Sequence, residues 1–179
     1  MKKYSYKTSL SFAKMIQGKI IQEAIFFALS NQSKNISQKK VFEYAKNRYL
    51  ILGNKIHKQS LKKMEKFNNS LIRTGIHFLQ SIKALNCINP HPVIFEDQHV
   101  YPDFFFKSLN FDNKKLKNCY VELKITNNFT KSKLSRDIAQ ASKYLHGRNN
   151  SFLFYLIIEN SRKITKLNIV TKLYKLKKY

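Results

Sequence analysis

The chain has 179 residues and carries 34 Lys+Arg against 10 Asp+Glu, a formal charge of +24 at pH 7. A hydrophobic fraction of 43% excludes a disordered tail, and no apolar run reaches the roughly 18 residues that a membrane span needs. Two cysteines, Cys87 and Cys119, are too few for a four-thiolate zinc or iron–sulfur site.

In chain order, the first half has helical periodicity. From Phe12, the apolar positions Ile16, Ile20, Ala24, Phe27 and Ala28 recur at helical spacing until SNQSKN breaks the run. A second helix is expected over about 38–51, with Val41, Tyr44, Ala45 and Tyr49 on one face. A third is expected from near Gly53 to about Leu85, broken around Asn68–Ser70. All three prolines, Pro90, Pro92 and Pro102, fall in the short region that follows, and there the period changes. VIFED, VYPDFFFKS, CYVELKIT, SFLFYLIIE and KITKLNIV read as strands, with NFDNKKLKN as a polar hairpin loop. A helix over about Ser132–His146 interrupts them, with Gly147 at its C-cap position. SFLFYLII is apolar on both faces, as a central parallel strand would be, so CYVELKI, helix and SFLFYLII form a βαβ crossover. The expected fold is α/β: one domain over 1–179, helical over 1–88, with a mixed sheet of about five strands over 89–179. The lysines and arginines divide evenly between those two parts, 17 and 17, which argues against a separate basic tail.

The charge points to a polyanionic partner, nucleic acid before a membrane surface. The start MKKYSYKTSLSFAKM lacks the apolar core and cleavage site of a secretory signal, and the cysteine usage fits a reducing, intracellular compartment. No Walker, dinucleotide or HExxH motif occurs, so no nucleotide cofactor is expected.

In a chain so short of acids, Asp103 and Glu122 both stand inside apolar, aromatic strands. A carboxylate there is costly by several kcal/mol unless a cation or donors compensate it. The two strands flank one hairpin, and Glu122 and Lys124, two apart, project from the same face. Two carboxylates and an ammonium on one face suit a hard divalent cation, Mg²⁺ or Mn²⁺, that binds phosphate. A surface pair between Glu122 and Lys124 is the plainer alternative, but Tyr120, Val121, Leu123 and Ile125 frame them.

At these residues the sequence resembles the PD-(D/E)xK nucleases, whose signature is matched by Pro102-Asp103 and, on the next strand, Glu122-Leu123-Lys124. The resemblance implies a restriction-endonuclease-like core and a metal-dependent phosphodiesterase. In it, Asp103, Glu122 and the Leu123 carbonyl hold the metal and Lys124 assists. Two further matches resemble the RecB-like branch over roughly residues 53–170. Gln140-Ala-Ser-Lys-Tyr144 fits its Q-x-x-x-Y, implying contact with DNA backbone. Gly53-Asn-Lys-Ile-His57 fits its G-x-x-x-H, implying His57 as a further metal ligand. Glu23, in phase with Ile16, Ile20 and Phe27, is the rival ligand, since restriction-type members supply a Glu from an early helix. The chain departs from branch members with iron–sulfur clusters, which need four cysteines. The expected function is therefore a DNA nuclease, end-processing or single-strand-directed. The alternatives are a compact restriction or homing-type endonuclease, a viral-type RNA endonuclease, a non-catalytic basic binder and a ribosomal-type structural protein. A homodimer would serve cutting of both strands.

Overall fold

The computed structural model describes residues 5–31, 36–52, 58–88, 93–95, 98–126, 151–163 and 166–176. The described residues form an α/β structure, with three helices and a mixed five-stranded sheet. By contacts it divides into two compact units, Met1–Ile76 and His77–Tyr179, and the division falls within the third helix. None of the described helices is long and apolar enough to cross a membrane.

The first unit holds α1 (Ser5–Ser30), α2 (Gln38–Leu52) and most of α3 (Lys58–Ser81). Ile16, Ile20 and Ala24 of α1 are buried as their spacing demands. The buried stripe is wider than expected, however, taking in Ile21, Ile25 and Leu29, while Phe27 and Ala28 sit at its half-buried edge. Phe27 stacks there on Tyr44 of α2, with ring centroids 4.5 Å apart and planes 3° from parallel. On α2, Val41, Ala45 and Tyr49 are buried, one stripe at four-residue spacing, with Tyr44 half-buried beside it. The break expected around Asn68–Ser70 is absent, because α3 runs through it. Asn68 is fully buried in that helix and accepts a hydrogen bond from Gln17 Nε2 of α1 at 2.5 Å, so a residue that reads as a breaker instead ties two helices.

Helix α3 ends at Ser81, earlier than expected, in a Schellman closure. The Lys83 amide donates to the Gln80 carbonyl at 2.9 Å and the Ala84 amide to the Leu79 carbonyl at 3.0 Å. Lys83 takes the left-handed conformation (φ 50°) where glycine is usual, and Leu79 and Ala84 are both buried at the closure. Leu85, expected as the end of the helix, instead opens strand β1 (Leu85–Ile88), within the part expected to be helical.

The sheet of the second unit runs in the order β1–β4–β5–β6–β7, with β4 at Phe104–Phe111, β5 at Lys114–Thr126, β6 at Phe152–Lys163 and β7 at Lys166–Leu176. β1, β4 and β5 form an antiparallel meander, β5 and β6 are parallel, and β6 and β7 are antiparallel. Of VIFED, expected as one of the sheet's strands, Val93–Phe95 forms β2 outside this sheet: among the described residues it pairs with β3 (Gln98–Val100), and β1 stands at the edge of the five-stranded sheet. Leu153, Phe154, Leu156, Ile157 and Ile158 of β6 are all buried, so successive residues are covered on both faces, as its composition demanded. The parallel β5–β6 join calls for a crossover. The segment that would supply it, with the expected helix over Ser132–His146, lies outside the described residues.

The polar loop expected over NFDNKKLKN is only two residues long. Asp112 (φ 49°) and Asn113 (φ 59°) make the turn, and the ladder resumes at once with Phe111 opposite Lys114. Two positive φ values in a two-residue hairpin identify a type I′ turn, which matches the right-handed twist of its strands. Asn and Asp tolerate that conformation, whereas a β-branched residue there is strained. Asn113→Val is therefore expected to lower stability by about 1–2 kcal/mol and Asn113→Gly to leave it equal or raise it. Urea midpoints of the two variants check this, and equal midpoints would contradict the turn assignment.

Candidate active site

Around the start of β4 the chain alternates cleanly. Pro102, Phe104 and Phe106 are buried, while Tyr101 is exposed and Asp103 and Phe105 are half-buried. Phe104 pairs with Val121 and Phe106 with Cys119, all four fully buried, so that face of the β4–β5 ribbon is core. On the other face Phe105 pairs with Tyr120, their rings 4.9 Å apart. Continuing the register one step sets Asp103 across from Glu122. The two acids singled out from sequence are thus cross-strand neighbours on one face. Asp103 lies just before β4 rather than within a strand.

The Asp103 carboxylate is anchored by the opposite strand. Its Oδ2 accepts a hydrogen bond from the Leu123 amide at 2.7 Å. Leu123 stands between Glu122 and Lys124, so this bond fixes the Pro-Asp against the acid-x-Lys. Burial pushes the Asp103 carboxyl up to about 6, and the Leu123 amide and the nearby Lys124 ammonium pull back only part of that rise. Glu122 Oε2 is shut off from solvent, while Lys124 is exposed. The site therefore holds two carboxyl groups poor in water beside one solvated cation. Such a donor set, oxygen atoms on a half-buried face, fits Mg²⁺ or Mn²⁺ and gives nothing to a soft metal.

Among the described residues no three His, Cys, Asp or Glu side chains converge, so the described part of the site brings together two carboxyl groups and no third. His57, Gln140 and Tyr144 lie outside the described residues. Glu23 is within them, and it is held by Arg48. The guanidinium reaches its carboxylate through Nε at 2.6 Å and through its second nitrogen at 3.0 Å, a forked pair between α1 and α2. In sequence, the basic residue one turn from Glu23 is Lys19. Arg48 was not legible there, because the partner stands 25 residues on and no periodicity links the two.

Neither cysteine belongs to the site. Both are buried, and burial pushes the Cys87 thiol up to about 12, which leaves it unreactive at neutral pH. Cys87 and Cys119 pair with Phe106 from opposite sides, so they stand two strands apart, about 10 Å, beyond disulfide reach.

The raised Asp103 carboxyl has a measurable consequence in metal-free protein. Its folded value of about 6 exceeds its ordinary 3.8, so the fold prefers the neutral form. The stability this contributes is whole below about pH 4 and is lost as pH rises through about 6. In EDTA, the urea midpoint of the wild type should thus fall relative to Asp103→Asn across that window. A difference that stays flat with pH would contradict the buried environment assigned to Asp103.

Comparison of the chain with protein-family models, with curated proteins and with solved structures returned no match. The site is read from its own geometry.

Proposed function

We propose that the chain is a divalent-metal-dependent nuclease of the PD-(D/E)xK type, with a restriction-endonuclease-like core, acting on DNA in the manner of the RecB-like branch. The observation that carries this reading is the Asp103–Leu123 hydrogen bond, which joins Pro102-Asp103 to Glu122-Leu123-Lys124 across two antiparallel strands. Further support comes from the sheet, a sequential meander followed by a parallel strand pair that requires a crossover where the Q-x-x-x-Y segment lies in sequence. The charge of +24 suits a phosphate backbone.

In this reading Asp103, Glu122 and the Leu123 carbonyl hold the metal, with His57 completing the set. Glu23 is the weaker rival, because Arg48 already compensates its charge. A bound Mg²⁺ or Mn²⁺ supplies Lewis-acid polarisation of the scissile phosphate and an acidified water. The protein's own contributions are positional and electrostatic. The Leu123 amide holds the Asp103 carboxylate in place before substrate arrives. Lys124, exposed beside the acid pair, meets a phosphate oxygen and stabilises the charge that develops on it. The half-buried face limits water around the carboxylates, which strengthens their hold on a cation. In this reading Gln140 and Tyr144, the Q-x-x-x-Y pair of the sequence, steady the backbone of the strand being cut.

Wild type should cleave labelled DNA with Mg²⁺ and not with EDTA. Asp103→Asn and Glu122→Gln should each lower cleavage by about a hundredfold or more while DNA binding is kept or strengthened, and Lys124→Ala by about a hundredfold. Wild-type rates in Asp103→Asn would sink the assignment.

The ligand rivalry makes a separate prediction. His57→Ala should lower cleavage far more than Glu23→Gln, and Mn²⁺ should support at least as much activity as Mg²⁺. Glu23→Gln should act on stability instead, lowering it by about 1 kcal/mol through the lost Arg48 fork. The reverse ranking, with both variants folded by circular dichroism, would move the chain to the restriction-type pattern with Glu23 as ligand.

A further inference from the structure

The β4–β5 hairpin ends in a basic tip that the mechanism does not use. Lys107, Lys114, Lys115 and Lys117 are all exposed, and among the described residues none of them is paired with an acid. Over residues 107–118 the single acid is Asp112, at the turn. The register divides the lysines between two faces. Lys115, opposite Asn110, and Lys117, opposite Ser108, lie on one face. Lys114, opposite Phe111, lies on the other, which Lys107, one residue before Ser108, shares. Neighbouring strands stop short of this end. The β5–β6 pairing begins at Cys119, so no described strand accompanies residues 114–118. On the other side β1 reaches Ser108, and one further bond runs from the Asn110 amide to the Ile82 carbonyl. Among the described residues the tip is thus a two-stranded ribbon, open along its β5 edge, with ammonium groups on both faces.

Cations on both faces of a ribbon suit two lines of negative charge, one on each side. The phosphate backbones that border a duplex groove are such a pair, and the major groove of B-DNA, about 12 Å wide, admits a two-stranded ribbon. A single strand offers one backbone and engages one face. An anionic membrane also attracts lysines, but a surface segment held there buries apolar side chains as well. The exposed large apolar side chains of the described residues all lie off the tip. Phe111 is taken up by Phe154, with ring centroids 5.2 Å apart, and Leu116 is half-buried.

We propose that residues 107–118 form a docking surface for duplex DNA, set between the phosphate backbones of its major groove and separate from the acid pair. The surface depends on the nuclease reading only for its effect on cleavage, and adds to that reading a duplex beside the cut. The three lysines on β5 stand five to eight residues before Glu122, about 17 to 27 Å along the strand. They hold substrate without touching the reacting phosphate.

The test measures binding of a fluorescein-labelled DNA duplex by anisotropy in EDTA. The proteins are wild type, the pair Lys107→Gln and Lys114→Gln, the pair Lys115→Gln and Lys117→Gln, and the variant with all four. A control changes Lys14, Lys19, Lys39 and Lys46, exposed on α1 and α2, to Gln and removes the same charge. The fourfold tip variant should bind about tenfold or more weakly, with a log–log salt slope shallower by about 3, and each face pair should give about half that change in slope. The control should lose less than about threefold, and an RNA duplex, whose major groove is deep and narrow, should bind wild type more weakly than DNA does. With Mg²⁺, the tip variants should raise KM for duplex DNA and leave kcat unchanged. Equal losses in tip and control variants, a loss carried wholly by one face, no loss, or RNA bound as tightly as DNA would each overturn the proposal. So would phosphatidylserine vesicles bound by wild type as tightly as DNA and released by the tip substitutions. If the tip variants lose DNA as expected but wild type cuts nothing, the nuclease reading fails and the docking surface stands. If wild type cuts and the tip variants bind and cut like it, the docking surface fails and the nuclease reading stands.

Discussion

One hydrogen bond organises the candidate site, the donation from the Leu123 amide to Asp103 Oδ2. An acid at the mouth of a strand, in a chain this basic, has many lysines within reach in principle. The fold gives it instead a backbone donor on the neighbouring strand. A main-chain amide is fixed by the ladder around it and loses no side-chain entropy when it binds, so it locates a carboxylate more tightly than a surface ammonium does. The bond also sits between Glu122 and Lys124, so the same contact that steadies Asp103 sets its spacing from both. Burial still outweighs the two stabilising influences and holds the carboxyl up to about 6. A site whose acid is kept short of solvation is one that a cation relieves.

The forked Glu23–Arg48 pair does the corresponding work in the helical unit. It links α1 to α2 beside the Phe27–Tyr44 stack, at side chains that are about a quarter exposed. Both acids join elements that are separate in sequence, one through a guanidinium and the other through an amide. Elsewhere the lysines repel one another. Lys107, Lys114, Lys115 and Lys117 on the β4–β5 hairpin are all exposed, a basic surface that stays in water.

What could be read in the sequence follows how local each signal is. Helices α1 and α2 and the burial of β6 were legible because their period or unbroken apolar run is set within ten or so residues. The pairing of Asp103 with Glu122 was legible because two acids in apolar strands about twenty residues apart, with turn-formers between, can only meet in a hairpin. Strand β1 was not. Leu85 continues the phase of α3, the strand is four residues long, and the stop signal is Lys83 in a conformation that normally calls for glycine. The hairpin's length was misjudged because KKLKN reads as loop by polarity, whereas a ribbon standing in solvent can be polar and still pair fully. Asn68 misled for a related reason: a helix breaker by propensity becomes a tie when Gln17 of another helix meets it. In each failure a partner distant in sequence decided the outcome.

The account stands or falls on whether the Asp103–Glu122 pair holds a divalent cation. Calorimetric titration of the metal-free protein with Mn²⁺ near neutral pH, without nucleic acid, measures this most directly. The account predicts saturable binding by wild type that is lost in both Asp103→Asn and Glu122→Gln, each shown to be folded by circular dichroism. Mn²⁺ binding of equal affinity in all three proteins, or none in the wild type, would contradict it.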